Sequence, residues 1–231
     1  MTPIEIVQTV IDQMNQNRGP SELLAGTGVR DYGPNVIWQG KSATTKNRHI
    51  EVVRCFSDGD FVVAHSQVLV DQKAFVALDI FHVTNQTITE HWGVMNPLLG
   101  ANPAGRTQLD GETEFRDFPL TAANKAVVSN FVHDEMMQER PGLIQTFFNA
   151  GQYIQHNHNL GDGIAAVIEM RRRIEQSGGT LPTYTDLSQL LGAGNFVLAV
   201  THSESANKTL TLFDLFRLEN EEIVEHWDVF E

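Results

Sequence analysis

The residue of this chain best suited to chemistry is an aspartate within an apolar strand near the carboxyl end. Residues 212–231 read LFDLFRLENEEIVEHWDVFE, and Asp214 interrupts a run of leucine and phenylalanine. A carboxylate in apolar surroundings is costly unless it is paired, hydrogen-bonded or protonated. Two interpretations stay open. Asp214 is either a structural aspartate that accepts hydrogen bonds, or a general base, since desolvation makes carboxylates more basic.

The alternation of side chains along strands predicts which residues could assist Asp214. Leu212, Asp214 and Phe216 share one face of their strand. On the preceding strand, His202 shares a face with alternate apolar residues that begin at Phe196. If these two faces lie on the same side of a sheet, His202 is the nearest histidine to the aspartate.

The tripeptide Glu225-His226-Trp227 follows in the last strand. Strict alternation predicts that Trp227 fills the core on the same face as Ile223 and Glu225. His226 is then expected on the opposite face, where sheets of this kind often pack against a partner. A packing role is predicted for all three residues.

A second polar motif is YIQHNHNLGDG, residues 153–163. His156 and His158 could share a face and bind a metal ion, but no third ligand has a clear spacing. No metal site is therefore predicted. Asp162 is better explained as a residue that caps the start of a helix.

The chain contains an internal repeat. Asp79 and the run Glu90-His91-Trp92 recur 135 residues later as Asp214 and Glu225-His226-Trp227. A repeat of this kind predicts two copies of one structural unit. Because both the structural and the functional interpretation of Asp214 predict its recurrence as Asp79, the repeat does not decide between them.

We therefore predict an α+β protein with two tandem domains, 1–104 and 121–231, joined by a linker at 105–120 that is rich in glycine, proline and polar residues. In each half, helices precede antiparallel strands. Thr2-Pro3-Ile4-Glu5 is a capping box that starts the first helix. The second half predicts helices near 122–138, 141–150 and 162–176, and strands near 195–203, 208–218 and 222–230.

Composition excludes several classes of function. The 231 residues include 16 Lys and Arg against 29 Asp and Glu, a net charge of −13, which argues against a nucleic-acid partner. No run of about 18 apolar residues is present, so no membrane partner is expected. A single cysteine, Cys55, excludes an internal disulfide. With no recognisable signal peptide, this predicts a cytoplasmic protein.

The motifs YIQHNHNLGDG and FDLFRLENEEIVEHWDV, with the linker NPAGRTQLDGETEFRD, resemble the SnoaL-like, polyketide cyclase-like branch of the nuclear transport factor 2-like superfamily. The resemblance covers most of 105–231, and the repeat extends it to the first half as a diverged copy. It implies two cone-shaped domains, each with N-terminal helices covering a curved antiparallel sheet that encloses a hydrophobic pocket. Members include polyketide cyclases that perform an intramolecular aldol condensation, and ketosteroid isomerase is a more distant relative.

The resemblance also implies roles for individual residues. Asp214, in its FDLFR context, matches the catalytic base, and His202 is placed as the assisting histidine. Ligand-binding residues are expected to be Tyr153, His156, Phe216 and Trp227. The first-half equivalent of YIQHNHNLGDG is YGPNVIWQG, at 32–40, which lacks both histidines and the aspartate. The working pocket is therefore predicted in the second half.

Two functions follow as hypotheses. The first is a cofactor-independent cyclase or isomerase that uses an aspartate base for enolate or aldol chemistry. The second is a non-catalytic binding protein. Both predict a small apolar partner molecule that contains a carbonyl group, and neither requires a metal or organic cofactor.

The two halves are expected to pack sheet to sheet as an internal pseudo-dimer, with His91, His226 and Arg217 near the seam. Dimerisation of the whole chain stays open.

Overall fold

Each half of the chain forms a five-stranded sheet, and the two sheets have the same order of strands. We describe them from a computed structural model that covers residues 1–17, 22–24, 30–31, 48–140, 142–149, 151–179, 181–205 and 208–230. The chain divides into two compact units, Met1–Leu98 and Leu99–Phe230. Helices combined with mainly antiparallel sheets confirm the predicted α+β class. The segment 32–40 lies outside the described residues.

The first unit begins with helix α1 (Pro3–Asn15). The predicted capping box is present, because Thr2 Oγ1 accepts a hydrogen bond from the Glu5 amide and the Glu5 carboxylate accepts one from the Thr2 amide. The apolar stripe of α1 packs on the sheet. The strands are β1 (Arg30–Asp31), β2 (Arg48–Asp58), β3 (Phe61–Val70), β4 (Lys73–Thr84) and β5 (Thr87–Pro97), in the order β1-β5-β4-β3-β2.

The second unit contains α2 (Thr121–Phe131), a π-helical turn (Val132–Met136), α3 (Ile144–Phe147), β6 (Ile154–Gln155), α4 (Ile164–Gln176), β7 (Thr183–Ala193), β8 (Phe196–Ser205), β9 (Lys208–Glu219) and β10 (Glu222–Phe230). The strand order is β6-β10-β9-β8-β7, and only the short β6 runs parallel to its neighbour. The predicted helix at 141–150 is reduced to the single turn α3. Strand β7 was not predicted; it is the counterpart of β2 in the first unit.

We call the helix-covered face of the second sheet its inner face. Val197, Ala199, Phe216 and Leu218 lie there in one apolar core with residues of α2 and the turn that follows. The outer face carries the remaining alternate residues, such as Phe196 and Trp227. Among the described helices, none combines the length and the apolar character needed to cross a membrane.

The segment from Leu99 to Asp117 belongs to the second unit and lies against this outer face. The Trp227 indole donates a hydrogen bond to the Asp110 carbonyl at 2.9 Å, and the Phe115 ring packs on Phe196 with centroids 4.7 Å apart. This segment includes most of the predicted linker. The domain boundaries stay a prediction.

Candidate functional site

A cavity of about 320 Å³ lies between the inner face of the second sheet and the helices that cover it. Its wall is mostly apolar, and polar side chains converge in one part of it. The apolar lining consists of Phe131, Met136, Ile144, Phe148, Leu160, Val167, Met170, Ile174, Leu181, Pro182, Leu210, Leu212, Phe216 and Phe230. The polar lining consists of Glu135, Gln138, Tyr153, Gln155, Asn157, Arg171, Tyr184, Asp214, His226 and Asp228.

Asp214 and His226 form the centre of the polar wall. The Asp214 Oδ1 atom lies 2.9 Å from His226 Nε2. Asp214 is 5% exposed, and its second oxygen, Oδ2, is buried with no hydrogen-bond partner among the described residues. A buried carboxylate oxygen without a partner is costly, so this atom is the natural point of contact for a ligand.

A β-bulge in β10 brings His226 to the inner face. Ile223 is opposite Leu218 and Glu225 is opposite Arg217, so Val224 is an extra residue in the strand. The bulge reverses the alternation, and His226 then faces inward with Phe216. The prediction that His226 points to the outer face is therefore wrong, because it assumed strict alternation through this strand.

The other nitrogen of His226 is held by the Gln155 side chain. The Asn157 amide donates to Gln155 Oε1 at 2.8 Å, which fixes the orientation of the Gln155 side-chain amide. The Gln155 Nε2 group then donates to Tyr153 Oη at 2.9 Å and lies 3.2 Å from His226 Nδ1. Gln155 Oε1 also lies 3.3 Å from His226 Nδ1, where it can accept the second proton of a charged imidazole. In either form, His226 carries a proton on Nε2, facing the Asp214 carboxylate.

Charge in the cavity favours a protonated His226. Burial lowers the pKa of His226, but the hydrogen bond that His226 donates to Asp214, the charge of Asp214 and the charge of Asp228 outweigh burial and raise this pKa above its ordinary value. The Phe216 ring stacks on the imidazole, with centroids 4.7 Å apart and planes inclined by 16°. The histidine is thus held on both its edge and its face.

A second carboxyl group, that of Asp228, lies beside this pair. Asp228 is directly opposite Asp214 in the β9–β10 ladder, and its Oδ2 accepts a hydrogen bond from Asn157 Nδ2 at 2.6 Å. Burial raises the pKa of Asp228; the charge of His226 lowers it and that of Asp214 raises it, and the net shift is upward. Sequence reasoning missed this residue.

His202 does not lie beside Asp214, so the predicted pairing is wrong. In the β8–β9 ladder Ala199 is opposite Asp214, and His202 therefore belongs to the alternate set of residues on the outer face. Its Nδ1 atom is 2.7 Å from Asp186 Oδ1 on β7, in a partly exposed pair. The prediction counted the wrong alternate set because the register of the ladder is not visible in the sequence.

His156 and Trp227 are also outside the cavity. Their rings stack on the outer face with centroids 4.6 Å apart, and His156 Nε2 lies 2.9 Å from Glu225 Oε1. These contacts place both residues under the 99–117 segment and leave them no access to a ligand in the cavity. Their predicted ligand-binding role is therefore corrected to a packing role. The packing role that alternation predicted for Trp227 is present, but on the outer face and not on the face of Ile223.

Tyr153 and Phe216, by contrast, do line the cavity. The Tyr153 side chain is buried, and burial together with the charges of Asp228, Asp214 and Asp162 raises its pKa well above the usual value. Tyr153 is therefore a hydrogen-bond donor at neutral pH. Its Oη already accepts from Gln155, so its proton is free for a ligand oxygen.

The first unit repeats the central pair. His91 Nε2 lies 2.8 Å from Asp79 Oδ1, and both side chains are buried. The residue opposite Asp79 is Gly93, where the second unit has Asp228. The counterpart of Tyr153 lies outside the described residues. Within the described part of the chain, no group of three or more His, Cys, Asp or Glu side chains is placed to hold a metal ion.

Comparisons with known proteins find similar folds only. No protein-family model and no curated protein matches the chain. An LEH-like epoxide hydrolase from M. tuberculosis has 13% identity and a TM-score of 0.39, over 49% of this chain and 86% of that one. A protein with a ketosteroid isomerase-like fold from Catenulispora acidiphila has 18% identity and a TM-score of 0.35, over 44% and 82%.

An NTF2-like protein of unknown function from Cytophaga hutchinsonii has 16% identity and a TM-score of 0.34, over 42% of this chain and 92% of that one. The matched structures are thus NTF2-like and ketosteroid isomerase-like. Each likeness covers less than half of this chain, and it assigns neither a family nor a function.

Proposed function

We propose that the second unit binds a small apolar molecule with a carbonyl group, and that Asp214 is the base that removes a proton from the carbon beside that carbonyl. One observation carries the proposal. Asp214 Oδ1 is held by His226, whereas Oδ2 is buried in an apolar cavity without a partner among the described residues. A base fixed through one oxygen and free at the other can accept a proton without rearrangement.

The size and lining of the cavity support the ligand class. A volume of about 320 Å³ suits a molecule of two or three fused rings. The apolar wall contributes burial, and the few polar groups fix the orientation of the ligand. In this arrangement the carbonyl faces the polar side chains, and the hydrocarbon part faces residues such as Met136 and Ile174.

The reaction needs a donor for the oxygen that becomes negative. When Asp214 Oδ2 takes the proton, the C–H electron pair moves to the carbonyl and forms an enolate. The Tyr153 hydroxyl donates a hydrogen bond to the enolate oxygen. His226 holds the Asp214 carboxyl in place throughout. An isomerisation or a cyclising aldol step uses the same enolate, so this chemistry fits the cofactor-independent cyclase or isomerase of the sequence hypothesis.

We further propose that the chain is a tandem of two SnoaL-like copies of cone-shaped form, with the first copy diverged. The equal strand order of the two sheets and the recurrence of the Asp–His pair at corresponding positions support this. The recurrence also keeps the alternative function open. A protein that only binds a ligand could use Asp214 and His226 to orient it, as the first unit holds Asp79 with His91.

The experiment measures hydrogen–deuterium exchange at the α-carbon of β-tetralone, an apolar bicyclic ketone, by NMR in D2O. Wild-type protein should accelerate the exchange. The change Asp214→Asn keeps the shape of the side chain and should slow the exchange by roughly 10² to 10⁴. A thermal melt at high pH, where His226 is neutral, should show little loss of stability, since Asp214 Oδ2 has no partner among the described residues to lose.

The matched control is Asp79→Asn, which alters the equivalent pair of the first unit. Its exchange rate should stay near that of the wild type. If Asp214→Asn exchanges as fast as the wild type, Asp214 is not a base. Bound β-tetralone without exchange would favour the binding protein. If instead both variants lose similar stability, by about 1–3 kcal/mol, the two aspartates are structural.

A further inference from the structure

We propose that Arg171 and Tyr184 form a second binding subsite in the cavity of the second unit, remote from Asp214, and that this subsite holds a second oxygen of the ligand, either a carboxylate or a carbonyl oxygen. This inference rests on the proposed function and deepens it, because it narrows the ligand to a carbonyl compound with a further oxygen acceptor at its other end. We call Arg171 and Tyr184 the distal subsite.

Helix α4 carries three consecutive arginines that have different surroundings. Arg172 and Arg173 both pair with Glu169 on the exposed side of the helix. Arg171 instead lines the cavity, and its Nη1 atom lies 3.4 Å from Glu135 Oε2. A guanidinium group has five N–H donors in a planar fork, and the other donors of Arg171 have no partner among the described residues. They are therefore available to a ligand oxygen.

The Glu135 carboxylate holds Arg171 in the wall without using its full capacity for hydrogen bonds. Glu135 is buried, and its Oε1 atom accepts a hydrogen bond from the Leu143 amide. Its Oε2 atom is farther from Arg171 than the roughly 2.7–2.9 Å of a normal charge-assisted hydrogen bond. Because Glu135 offsets part of the charge of Arg171, the distal subsite suits a neutral carbonyl oxygen as well as a carboxylate.

Tyr184 supplies a second donor at this end of the cavity. It lines the cavity, and its hydroxyl group has no hydrogen-bond partner among the described residues. Burial raises the pKa of Tyr184, the charge of Asp214 raises it further and that of Arg171 lowers it; the net shift is upward. The Tyr184 hydroxyl therefore keeps its proton at neutral pH and can donate it in a hydrogen bond.

A buried serine lies next to this tyrosine. Ser203 is directly opposite Tyr184 in the β7–β8 ladder and is fully buried, and its hydroxyl also has no partner in the described part of the chain. A buried hydroxyl without a partner is costly. Three side chains with unused donors thus lie at one end of the cavity, and an oxygen acceptor of the ligand would satisfy them.

The register of the strands gives the separation between the two ends. Ser203 is opposite Leu210 in the β8–β9 ladder, and Leu210 precedes Asp214 by four residues. Four residues of a strand span about 13 Å. Since side chains reach into the cavity from both ends, a two-ring molecule with oxygens at opposite ends can bridge this span. Its ketone then lies at Asp214, its rings against the apolar wall and its second oxygen at Arg171.

The test compares the binding of three probes to the whole protein by isothermal titration at pH 7. β-Naphthol mimics the enol of β-tetralone, 6-hydroxy-2-naphthoate adds a carboxylate at the opposite end, and its methyl ester adds a neutral carbonyl there. An oxygenated probe should bind about tenfold more tightly than β-naphthol. A gain for the naphthoate assigns a carboxylate, and a gain for the ester alone assigns a carbonyl. If neither probe binds more tightly than β-naphthol, the proposal is wrong.

Two neighbouring arginines provide a matched pair of variants. Arg171→Met should reduce the affinity for the oxygenated probe to about that of the wild type for β-naphthol. Arg172→Met, which alters an exposed arginine paired with Glu169, should keep the tenfold gain. Tyr184→Phe should lose part of the gain. A gain that survives unchanged in Arg171→Met would overturn the distal subsite.

A further variant guards against a simple loss of folding, because Arg171→Met leaves Glu135 buried without its charged partner. Glu135→Gln keeps an acceptor for the Leu143 amide and removes the charge that offsets Arg171. The naphthoate should therefore bind several-fold more tightly to Glu135→Gln than to the wild type, a gain that damage to the fold cannot produce. Unchanged or weaker binding of the naphthoate would contradict the proposed role of Arg171.

The distal subsite and the Asp214 base fail separately in these experiments, because β-tetralone has no second oxygen. If the oxygenated probes show the expected gain but the protein does not accelerate exchange in β-tetralone, the base is wrong and the distal subsite stands. If exchange in β-tetralone depends on Asp214 but a second oxygen adds no affinity, the base stands and the distal subsite is wrong.

Discussion

At the scale of single residues, the two oxygens of the Asp214 carboxyl group have different surroundings. Asp214 Oδ1 faces a histidine that is itself held by Gln155 and stacked on Phe216. Oδ2 has an apolar cavity before it and no partner among the described residues. A structural aspartate would be expected to accept hydrogen bonds at both oxygens, whereas a general base needs one oxygen without a partner. The difference between Oδ1 and Oδ2 therefore favours the proposed role as a base.

The raised pKa of His226 predicts how stability depends on pH. A histidine whose folded pKa exceeds its unfolded value of about 6.5 binds the proton more tightly when folded. Its contribution is full below the unfolded pKa and is lost as the pH rises through the folded pKa. We expect the free energy of unfolding in urea to fall as the pH rises above about 6.5, and to fall less in His226→Gln.

The control for this experiment is His133→Gln, which removes an exposed histidine paired with the exposed Glu139. It should keep the wild-type dependence on pH. If His226→Gln keeps that dependence as well, the imidazole is not coupled to the carboxyl groups of the cavity, and its role as the group that holds Asp214 is wrong.

At the scale of elements, one extra residue in β10 decides which chemistry is possible. The sequence correctly indicates the strand and the inward direction of Asp214 and Phe216. It does not reveal the bulge at Val224 that turns His226 inward and Trp227 outward. A signal was present, since both halves place a histidine 12 residues after the aspartate, and in both the two side chains pair.

Packing on the outer face of the second sheet explains why ligand contacts were wrongly predicted for two other residues. Beneath the 99–117 segment, the His156 ring stacks on Trp227 and its Nε2 atom pairs with the Glu225 carboxylate. Their types suggested ligand contacts, but packing against an irregular segment cannot be read from periodicity. Strand β7 was missed for a related reason, because two register shifts interrupt its alternation. Sheet-to-sheet packing of the two units stays a prediction.

Because the 99–117 segment packs closely on the outer face, two of its glycines, both with positive φ, should differ in how much stability is lost when each is replaced by alanine. A Cβ at Gly111 (φ +97°) would overlap the Glu225 carboxylate and come within 2.8 Å of Trp227 Cζ2, whereas a Cβ at Gly105 (φ +81°) would meet nothing within 4 Å. Gly105→Ala should cost about 1 kcal/mol from its backbone conformation alone. Gly111→Ala should cost about 1–3 kcal/mol more, because the contact is overpacked.

Urea unfolding of the two variants measures this difference directly. Because the backbone conformation is left-handed at both positions, the excess loss in Gly111→Ala reports the contact with the outer face. Equal losses for the two variants would mean that the 99–117 segment does not lie closely on Trp227 and Glu225.

At the scale of the whole molecule, the two units share a plan and differ in their polar groups. Both have the same strand order and the same Asp–His pair, but the residue opposite the paired aspartate is Asp228 in the second unit and Gly93 in the first. The sequence predicts a working pocket in the second half from the histidines and aspartate of the 153–163 motif, and this stays a prediction. The residue that carries the difference in the structure is instead Asp228, opposite Gly93 in the first unit.

The difference between the units predicts one ligand per chain. Isothermal titration with β-naphthol, a stable mimic of the enol of β-tetralone, should give a stoichiometry of one. Asp214→Ala should weaken binding, and Asp79→Ala should leave it near the wild-type value. Two equivalent sites per chain, or equal effects of the two substitutions, would show that the first unit has a working pocket as well.

The central claim is that Asp214 Oδ2 faces the reacting carbon of a ligand in the second-unit cavity. The most direct test is a crystal structure of the protein with bound β-naphthol. We predict the rings against the apolar wall, the hydroxyl beside Tyr153, and the adjacent ring carbon about 3–3.5 Å from Asp214 Oδ2. β-Naphthol bound outside this cavity, or bound within it with Asp214 Oδ2 turned away from the ring, would contradict the account.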